Sequence, residues 1–162
     1  MKKVLILVLA LIAVSCSVSS YSVKPSNPKT VYCVKEFNYD SPEPVLKDLL
    51  YQALTDAVLS SGAVIECSDK TQYFVYFSVT GIGFYPVGYS ATLRANVYVA
   101  QINSFFSLRD KEGKEIYSHS ITEKTQYVGT GMRADFEKRY AFVELVDLIK
   151  VRIYSILTGY GS

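Results

Sequence analysis

The chain has 162 residues, with 17 Lys and Arg against 15 Asp and Glu, three Cys, one His and no Trp. Hydrophobic residues make up 49%, which excludes an acidic disordered tail and a low-complexity linker, and the length predicts one domain. A net charge of +2 with no run of five Lys or Arg excludes a nucleic-acid-binding footprint.

The first residues have the pattern of a secretory leader. Lys2 and Lys3 precede an apolar run at positions 4–14, and its 11 residues are too few for the roughly 20 that a membrane-spanning helix requires. The run ends in Ala13-Val14-Ser15-Cys16, which resembles the lipobox of bacterial lipoproteins. The resemblance implies cleavage before Cys16 and attachment of diacylglycerol and acyl chains such as palmitate to this cysteine. The alternative is an ordinary signal peptide with an incidental cysteine.

We therefore predict a lipoprotein signal peptide at 1–15, a lipidated cysteine with a flexible tether at 16–29, and one periplasmic domain at 30–162. The tether is rich in Ser and Pro, and its 13 residues after the cysteine reach at most about 43–47 Å. Loss of the leader removes two lysines and no acids, so the mature chain is formally neutral, with 15 residues of each sign. Ser17 follows the cysteine, and by resemblance to known sorting rules this implies the outer membrane, periplasmic face.

The first half of the domain is predicted to form a strand, a helix and a second strand. β-branched and aromatic residues predict a strand at 30–37, and apolar residues at spacings of three and four predict a helix from about Ser41 to Ser61. Ser41 is the expected N-cap, with Pro42 at the first helical position, and Gly62 is the expected left-handed stop. A short second strand follows at 63–67.

The second half of the domain is predicted to form three strands and a helix. Positions 72–82 predict a covered central strand, 83–88 a loop or hairpin connection, and 89–108 a long strand with a β-bulge near Gln101, where the apolar phase shifts. A polar turn at 110–113 leads to a strand at about 114–128. A Gly-rich link at 129–131 leads to a helix at about 135–158, which Gly159 ends. These elements predict an α+β fold, β-α-β-β-β-α, with two helices packed on one face of a mixed sheet.

Cys33 and Cys67 remain as a pair once Cys16 is lipidated. The two strands that carry them would be neighbours if a βαβ crossover joins them, and an oxidising compartment would then permit a disulfide. Two small buried thiols are an equally good interpretation, and the alternative stays open.

The sequence contains few candidate residues for catalysis or metal binding. His119 is the one histidine, and a metal site or a Ser/His device needs further convergent groups. No Walker lysine follows either Gly-x-Gly pair. We predict a non-enzyme with no catalytic residues, no metal and no cofactor.

The chain resembles the LPS-assembly lipoprotein LptE family over nearly all of its mature length. The matching stretches are Tyr89-Ser-Ala-Thr-Leu-Arg-Ala-Asn-Val-Tyr-Val, Phe106-Ser-Leu-Arg-Asp-Lys-Glu-Gly-Lys-Glu-Ile-Tyr-Ser, Tyr127-Val, and the two helices. The resemblance implies two helices on a mixed sheet and a partner, the LptD β-barrel, with which the protein would place lipopolysaccharide in the outer leaflet. It also implies lipopolysaccharide contact through basic residues of a strand hairpin, here Arg109, Lys111 and Lys114.

A second interpretation is an auxiliary envelope lipoprotein of a different outer-membrane lipid-trafficking or assembly complex. The same leader and the same α+β pattern would serve either role. Recovery of a large β-barrel with the tagged protein would separate the two.

Overall fold

The computed structural model describes residues 30–89, 91, 95–129 and 134–159. The predicted leader, the predicted lipidation site Cys16 and the tether lie outside these residues. The described elements are β1 (Val31–Tyr39), α1 (Pro44–Ser60), β2 (Val64–Ile65), β3 (Tyr73–Tyr89), β4 (Ala95–Arg109), β5 (Glu115–Val128) and α2 (Ala134–Leu157).

The strands form one mixed sheet in the order β2-β1-β3-β4-β5. β1 is parallel to both β2 and β3, whereas β3, β4 and β5 are antiparallel neighbours. The α+β class and the mixed sheet are thereby confirmed. All five predicted strand segments are present, so the observed order is β-α-β-β-β-β-α, and the predicted order β-α-β-β-β-α is one strand short.

Both helices pack on one face of this sheet and share its core. The inward residues of the central strands, such as Phe77 and Phe106, lie in one cluster with Leu54 of α1 and Ile149 of α2. The other helical members of the predicted stripes in this cluster are Leu46, Leu50, Ala53, Ala57 and Val58 in α1, and Phe142, Leu145, Val146, Ile153 and Leu157 in α2. A single apolar core between two layers accounts for the fold.

The two helices run in the same direction. An ion pair between Glu43 and Lys138 joins their beginnings, and Ser60 lies beside Tyr154 near their ends. Because α1 leads directly into β2, which pairs with the start of β1, both helices end at the end of the sheet where residue 30 enters.

The predicted beginning of α1 at Ser41 is wrong, and so is the cap assigned to it. The helix begins at Pro44, and Glu43 before it has non-helical φ and ψ of −101° and 82° without a side-chain cap bond. A residue that precedes proline is disfavoured in the α region, so Glu43 cannot continue a helix begun at Pro42. The stop is confirmed, because Gly62 has φ of 82°.

β3 is longer than predicted, and the connection expected at 83–88 belongs to the strand. Pairing with β1 ends at Val79, so the rest of β3 is bonded only to β4. Pro86 lacks an N–H, and proline is found in strands whose edge is free or at bulges. Register shifts between Pro86 and Gly88 and between Gly88 and Tyr89 fit this rule.

The β-bulge predicted near Gln101 is absent from the described part of β4. Its pairing with β5 continues without a shift from Val97 to Leu108. The apolar phase shifts because Val97 and Val99 lie on the face away from the helices, whereas Ile102 and Phe106 lie on the face toward them. The register shift nearest to Gln101 is on the neighbouring strand, between Val79 and Gly81.

Candidate interaction surfaces

Part of the sheet face opposite the two helices is built from polar and aromatic side chains, and no helix of the described residues covers it. Its composition follows from the alternation of the strands. The cross-strand register puts Asn38, Ser78, Phe105 and Ser120 in one row across four strands. The adjacent row consists of Glu36, Tyr76, Ser107 and Ser118. We call these two rows the serine face.

A cavity of about 190 Å³ lies on this surface. It is lined by Phe77, by Arg109 and by six residues of the two rows: Glu36, Asn38, Tyr76, Ser78, Phe105 and Ser107. The small serine side chains leave the space, and the larger aromatic and charged side chains form its walls. Three separate strands contribute, so only the folded sheet assembles this lining.

Arg109 combines an aromatic contact with an unmade hydrogen bond. The guanidinium carbon lies 4.7 Å from the centroid of the Tyr76 ring, a cation–π distance. Its Nε atom is buried and has no hydrogen-bond partner. On the other side of the cavity, Glu36 accepts a hydrogen bond from the amide of Asn38. No ion pair joins Glu36 and Arg109 in the described part of the chain.

The other two predicted contact residues, Lys111 and Lys114, lie in the β4–β5 turn. Lys111 Nζ donates to the carbonyl oxygen of Asp69 at 3.1 Å, and the Lys114 side chain is exposed. The Lys114 backbone N–H donates to the Asp110 carboxylate at 2.9 Å, and Gly113, with φ of 81°, completes the turn. Arg109 is thus the one of the three predicted residues that lines the cavity, and lipopolysaccharide contact stays a prediction for all three.

Cys33 and Cys67 form a disulfide in the structure, with their Cα atoms 4.8 Å apart. Cys33 lies in β1, and Cys67 follows β2 by two residues. These strands are parallel neighbours, as the crossover required. The bridge therefore fixes the shortest strand of the sheet to β1.

α2 carries a second apolar stripe on its outward side. The exposed members include Phe136, Tyr140, Val143 and Val151, of which Tyr140 is 71% exposed. The positions differ by four, three and eight residues, so they follow one side of the helix. A monomer gains nothing from this exposed apolar surface, and patches of this kind mark interaction sites.

The described residues hold no group of three or more His, Cys, Asp or Glu side chains that could bind a metal ion. His119 is exposed on β5 and lies beside the Tyr117 ring, with ring centroids 6.2 Å apart. Within the described ranges, no helix is long and apolar enough to cross a membrane.

Tyrosines with raised pKa values occur in the core and beside the helices. Burial, and to a smaller extent the neighbouring Tyr73, raises the pKa of Tyr32 above its ordinary value. Burial also raises the pKa values of Tyr39 and Tyr127, and the cation of Lys138 partly opposes this at Tyr127. These tyrosines stay neutral under ordinary conditions and serve packing.

Sequence reasoning missed the cavity of the serine face. Its residues come from β1, β3 and β4, and no spacing along the chain brings Glu36 near Ser107. A partial signal was available, because Gln101, Asn103, Phe105 and Ser107 alternate in β4 with residues that are mostly apolar and buried. That pattern marks a polar face but gives no register.

No protein-family model matches the chain, and no curated relative matches it. Solved structures do share its fold. A minor lipoprotein from Acinetobacter baumannii aligns with a TM-score of 0.57 at 12% identity, over 80% of this chain and 91% of that protein. Rare lipoprotein B from Shewanella oneidensis aligns with a TM-score of 0.56 at 13% identity, over 80% of this chain and 95% of that protein.

A candidate lipoprotein from Caulobacter crescentus CB15 gives a TM-score of 0.54 at 16% identity, over 82% of this chain and 89% of that protein. At such identities the likeness concerns the fold. The α+β domain described here is therefore a fold that solved bacterial lipoproteins also have.

Proposed function

We propose that this protein is a lipid-anchored lipoprotein of the outer membrane that partners an LptD-type β-barrel in the transport and assembly of lipopolysaccharide. One observation carries the proposal: a lipobox-like segment ending at Cys16 precedes a domain whose fold is shared with solved lipoproteins. The role is binding and not catalysis. The LptE resemblance of the two helices and the central strands supplies the identity of the partner.

The lipid anchor follows from the chemistry of acylation. A single acyl chain holds a protein only marginally at a membrane, and two or more chains give stable attachment. Acylated Cys16 would carry more than one chain. The tether then lets the domain work within about 43–47 Å of the membrane surface.

Two surfaces support a protein partner. The outward stripe of α2 presents Tyr140 and Val143 to solvent, and the serine face is open on the other side of the sheet. Tyrosine is common in interfaces that stay partly wet. A domain enclosed by a barrel would use surfaces on more than one side.

The decisive experiment is capture of the tagged protein from detergent-solubilised outer membrane. We expect a large β-barrel to be recovered with it, and we expect depletion of the protein to reduce surface lipopolysaccharide. Recovery of no barrel together with unchanged surface lipopolysaccharide would contradict the proposal. Recovery of a different envelope complex would favour the auxiliary-lipoprotein role instead.

The anchor has its own test, in which Cys16→Ala is the variant. Metabolic labelling with palmitate should mark the wild-type protein, and the variant should lose the label and move to the soluble periplasmic fraction. A variant that keeps the label would contradict lipidation at Cys16. An unlabelled variant that stays in the outer membrane would show that lipid is not the sole anchor, and capture would then show whether the barrel retains it.

A further inference from the structure

The cavity of the serine face contains both an unsatisfied donor and an acceptor with free capacity. The buried Nε–H of Arg109 has no partner, and an unmade hydrogen bond at a buried polar atom costs free energy. The Glu36 carboxylate takes one hydrogen bond from Asn38, although a carboxylate has about four acceptor positions. A ligand that both accepts and donates hydrogen bonds would satisfy Arg109 and Glu36 together.

The charges of the cavity disfavour a strongly ionic ligand. Glu36 and Arg109 line it from β1 and β4, with β3 between them, so an anion would meet the carboxylate and a cation would meet the guanidinium. Hydroxyl groups accept and donate without net charge. The Ser107 hydroxyl, on a residue only 1% exposed, adds a further neutral group to the lining.

Phe105 supplies an apolar wall. Its neighbours directly across on the two adjacent strands are Ser78 and Ser120, which are too small to cover a ring, and the residue remains 36% exposed. An exposed aromatic ring among hydroxyl and amide groups suits a ligand with one apolar side and a polar rim.

The size of the cavity limits the ligand to one ring. Pockets that bind drug-sized ligands have volumes of roughly 300–1,000 Å³, and this cavity has about 190 Å³. The open sheet beyond it, where Gly81 and Gly83 follow Ser78 along β3, leaves room for neighbouring units. At Gly83, a Cβ atom would meet no atom within 4 Å.

We propose that the serine face binds one pyranose ring of an oligosaccharide, with the C–H side of the ring on Phe105 and its hydroxyls on Asn38, Glu36 and Arg109. The inference goes beyond the proposed partnership with a barrel. The lipopolysaccharide core and peptidoglycan are two envelope saccharides that present this ring chemistry, and the test distinguishes them.

The test is an NMR titration of the predicted mature chain, residues 16–162, carrying Cys16→Ala. The probes are maltotriose, chitotriose and the core oligosaccharide released from lipopolysaccharide by mild acid. We expect amide shifts confined to residues of the serine face with at least one probe. Preference for chitotriose indicates a peptidoglycan source, and preference for the core oligosaccharide indicates lipopolysaccharide. Absence of shifts with all three probes at millimolar concentration overturns the proposal.

Variants assign the binding to named side chains. Phe105→Ala should weaken binding by about three- to tenfold, the usual worth of an aromatic contact. Asn38→Ala should weaken it by about two- to tenfold, as expected for a lost hydrogen bond. Because Asn38 is exposed, this second variant stays folded even if Phe105→Ala does not.

Phe136→Ala is the matched control, since Phe136 is an exposed aromatic residue on α2. Binding that Phe136→Ala weakens, or that neither Phe105→Ala nor Asn38→Ala weakens, overturns the proposal. Barrel capture is measured separately with the same variants. Failure of saccharide binding with intact capture would thus leave the proposed function standing, and the reverse would leave this inference standing.

Discussion

Removal of the Cys33–Cys67 bridge tests how the edge of the sheet is held together. β2 pairs with β1 through only Val31 with Val64 and Tyr32 with Ile65, so hydrogen bonding alone gives it little stability. The bridge closes a loop with a sequence separation of 34 residues. The perturbation is the double substitution Cys33→Ala/Cys67→Ala, made in the Cys16→Ala background.

The expected magnitude follows from loop closure. With about 34 residues in the loop, the chain-entropy relation gives a stabilisation of about 3.8 kcal/mol at 25 °C. Loss of the bridge should therefore lower the free energy of unfolding by about 3–4 kcal/mol. For a domain of this size, the corresponding fall in Tm is roughly 8–15 °C.

Urea denaturation followed by circular dichroism measures this change. The bridge-free variant should also have a larger m-value, because its unfolded chain exposes more surface. Each single substitution removes the same bridge, so Cys33→Ala and Cys67→Ala should each approach the double variant. Wild-type protein in reducing agent should do the same.

A difference below about 1 kcal/mol between oxidised wild type and the double variant would refute this reasoning. Mass spectrometry under non-reducing conditions supplies the direct check. Two free thiols in the mature protein would show that the bridge does not form in the cell.

Three further predictions concern the core, a turn and pH. Ile149→Ala, at a fully buried position, should lower the free energy of unfolding by about 2–5 kcal/mol. Val151→Ala, on the exposed side of α2, should change it by less than about 0.5 kcal/mol. Urea unfolding of both variants measures the difference. Gly113→Ala forces an L side chain into positive φ and should lower the free energy of unfolding by about 1 kcal/mol. Gly83→Ala should leave it unchanged or raise it, and equal effects of the two substitutions would contradict the explanation. Because the pKa of Tyr32 is raised in the folded protein, its neutral side chain contributes stability that is fully present below about pH 10, the pKa of tyrosine in the unfolded chain. This contribution is lost as the pH rises through the pKa of Tyr32 in the folded protein. Alkaline unfolding monitored by circular dichroism should therefore move to higher pH in Tyr32→Phe, and an unchanged profile would contradict the assignment.

The sequence was sufficient for elements with a strong local signal. The sequence predicts helix α2 at 135–158 and it is observed at Ala134–Leu157, because its core stripe from Phe142 to Leu157 repeats at helical spacing over about four turns. The β4–β5 turn was equally clear, since Gly113 follows three polar residues. Such features depend on neighbours in the chain.

Features that depend on neighbours in space were missed or, for the Cys33–Cys67 disulfide, left open between two alternatives. Whether Pro86 interrupts a strand depends on where β1 stops pairing, and the apolar phase of β4 depends on which face the helices cover. The cavity of the serine face needs the register of three strands, and the pairing of Cys33 with Cys67 needs the placement of β2. None of this is encoded in local spacing.

The shared direction of the two helices has an electrostatic consequence. Each helix has a macrodipole equivalent to roughly half a negative elementary charge at its C-terminal end. Because α1 and α2 end on the same side, their partial charges add at the end of the sheet where residue 30 enters from the predicted tether. The β4–β5 turn lies at this end as well, since Tyr32 pairs with Tyr73 and Phe74 with Arg109. This turn carries Lys111 and Lys114 but also Asp110 and Glu112, so its side-chain charges cancel and leave the field of the helix ends in place. The end of the domain where the predicted tether enters is therefore slightly negative, which disfavours close contact with an anionic membrane surface.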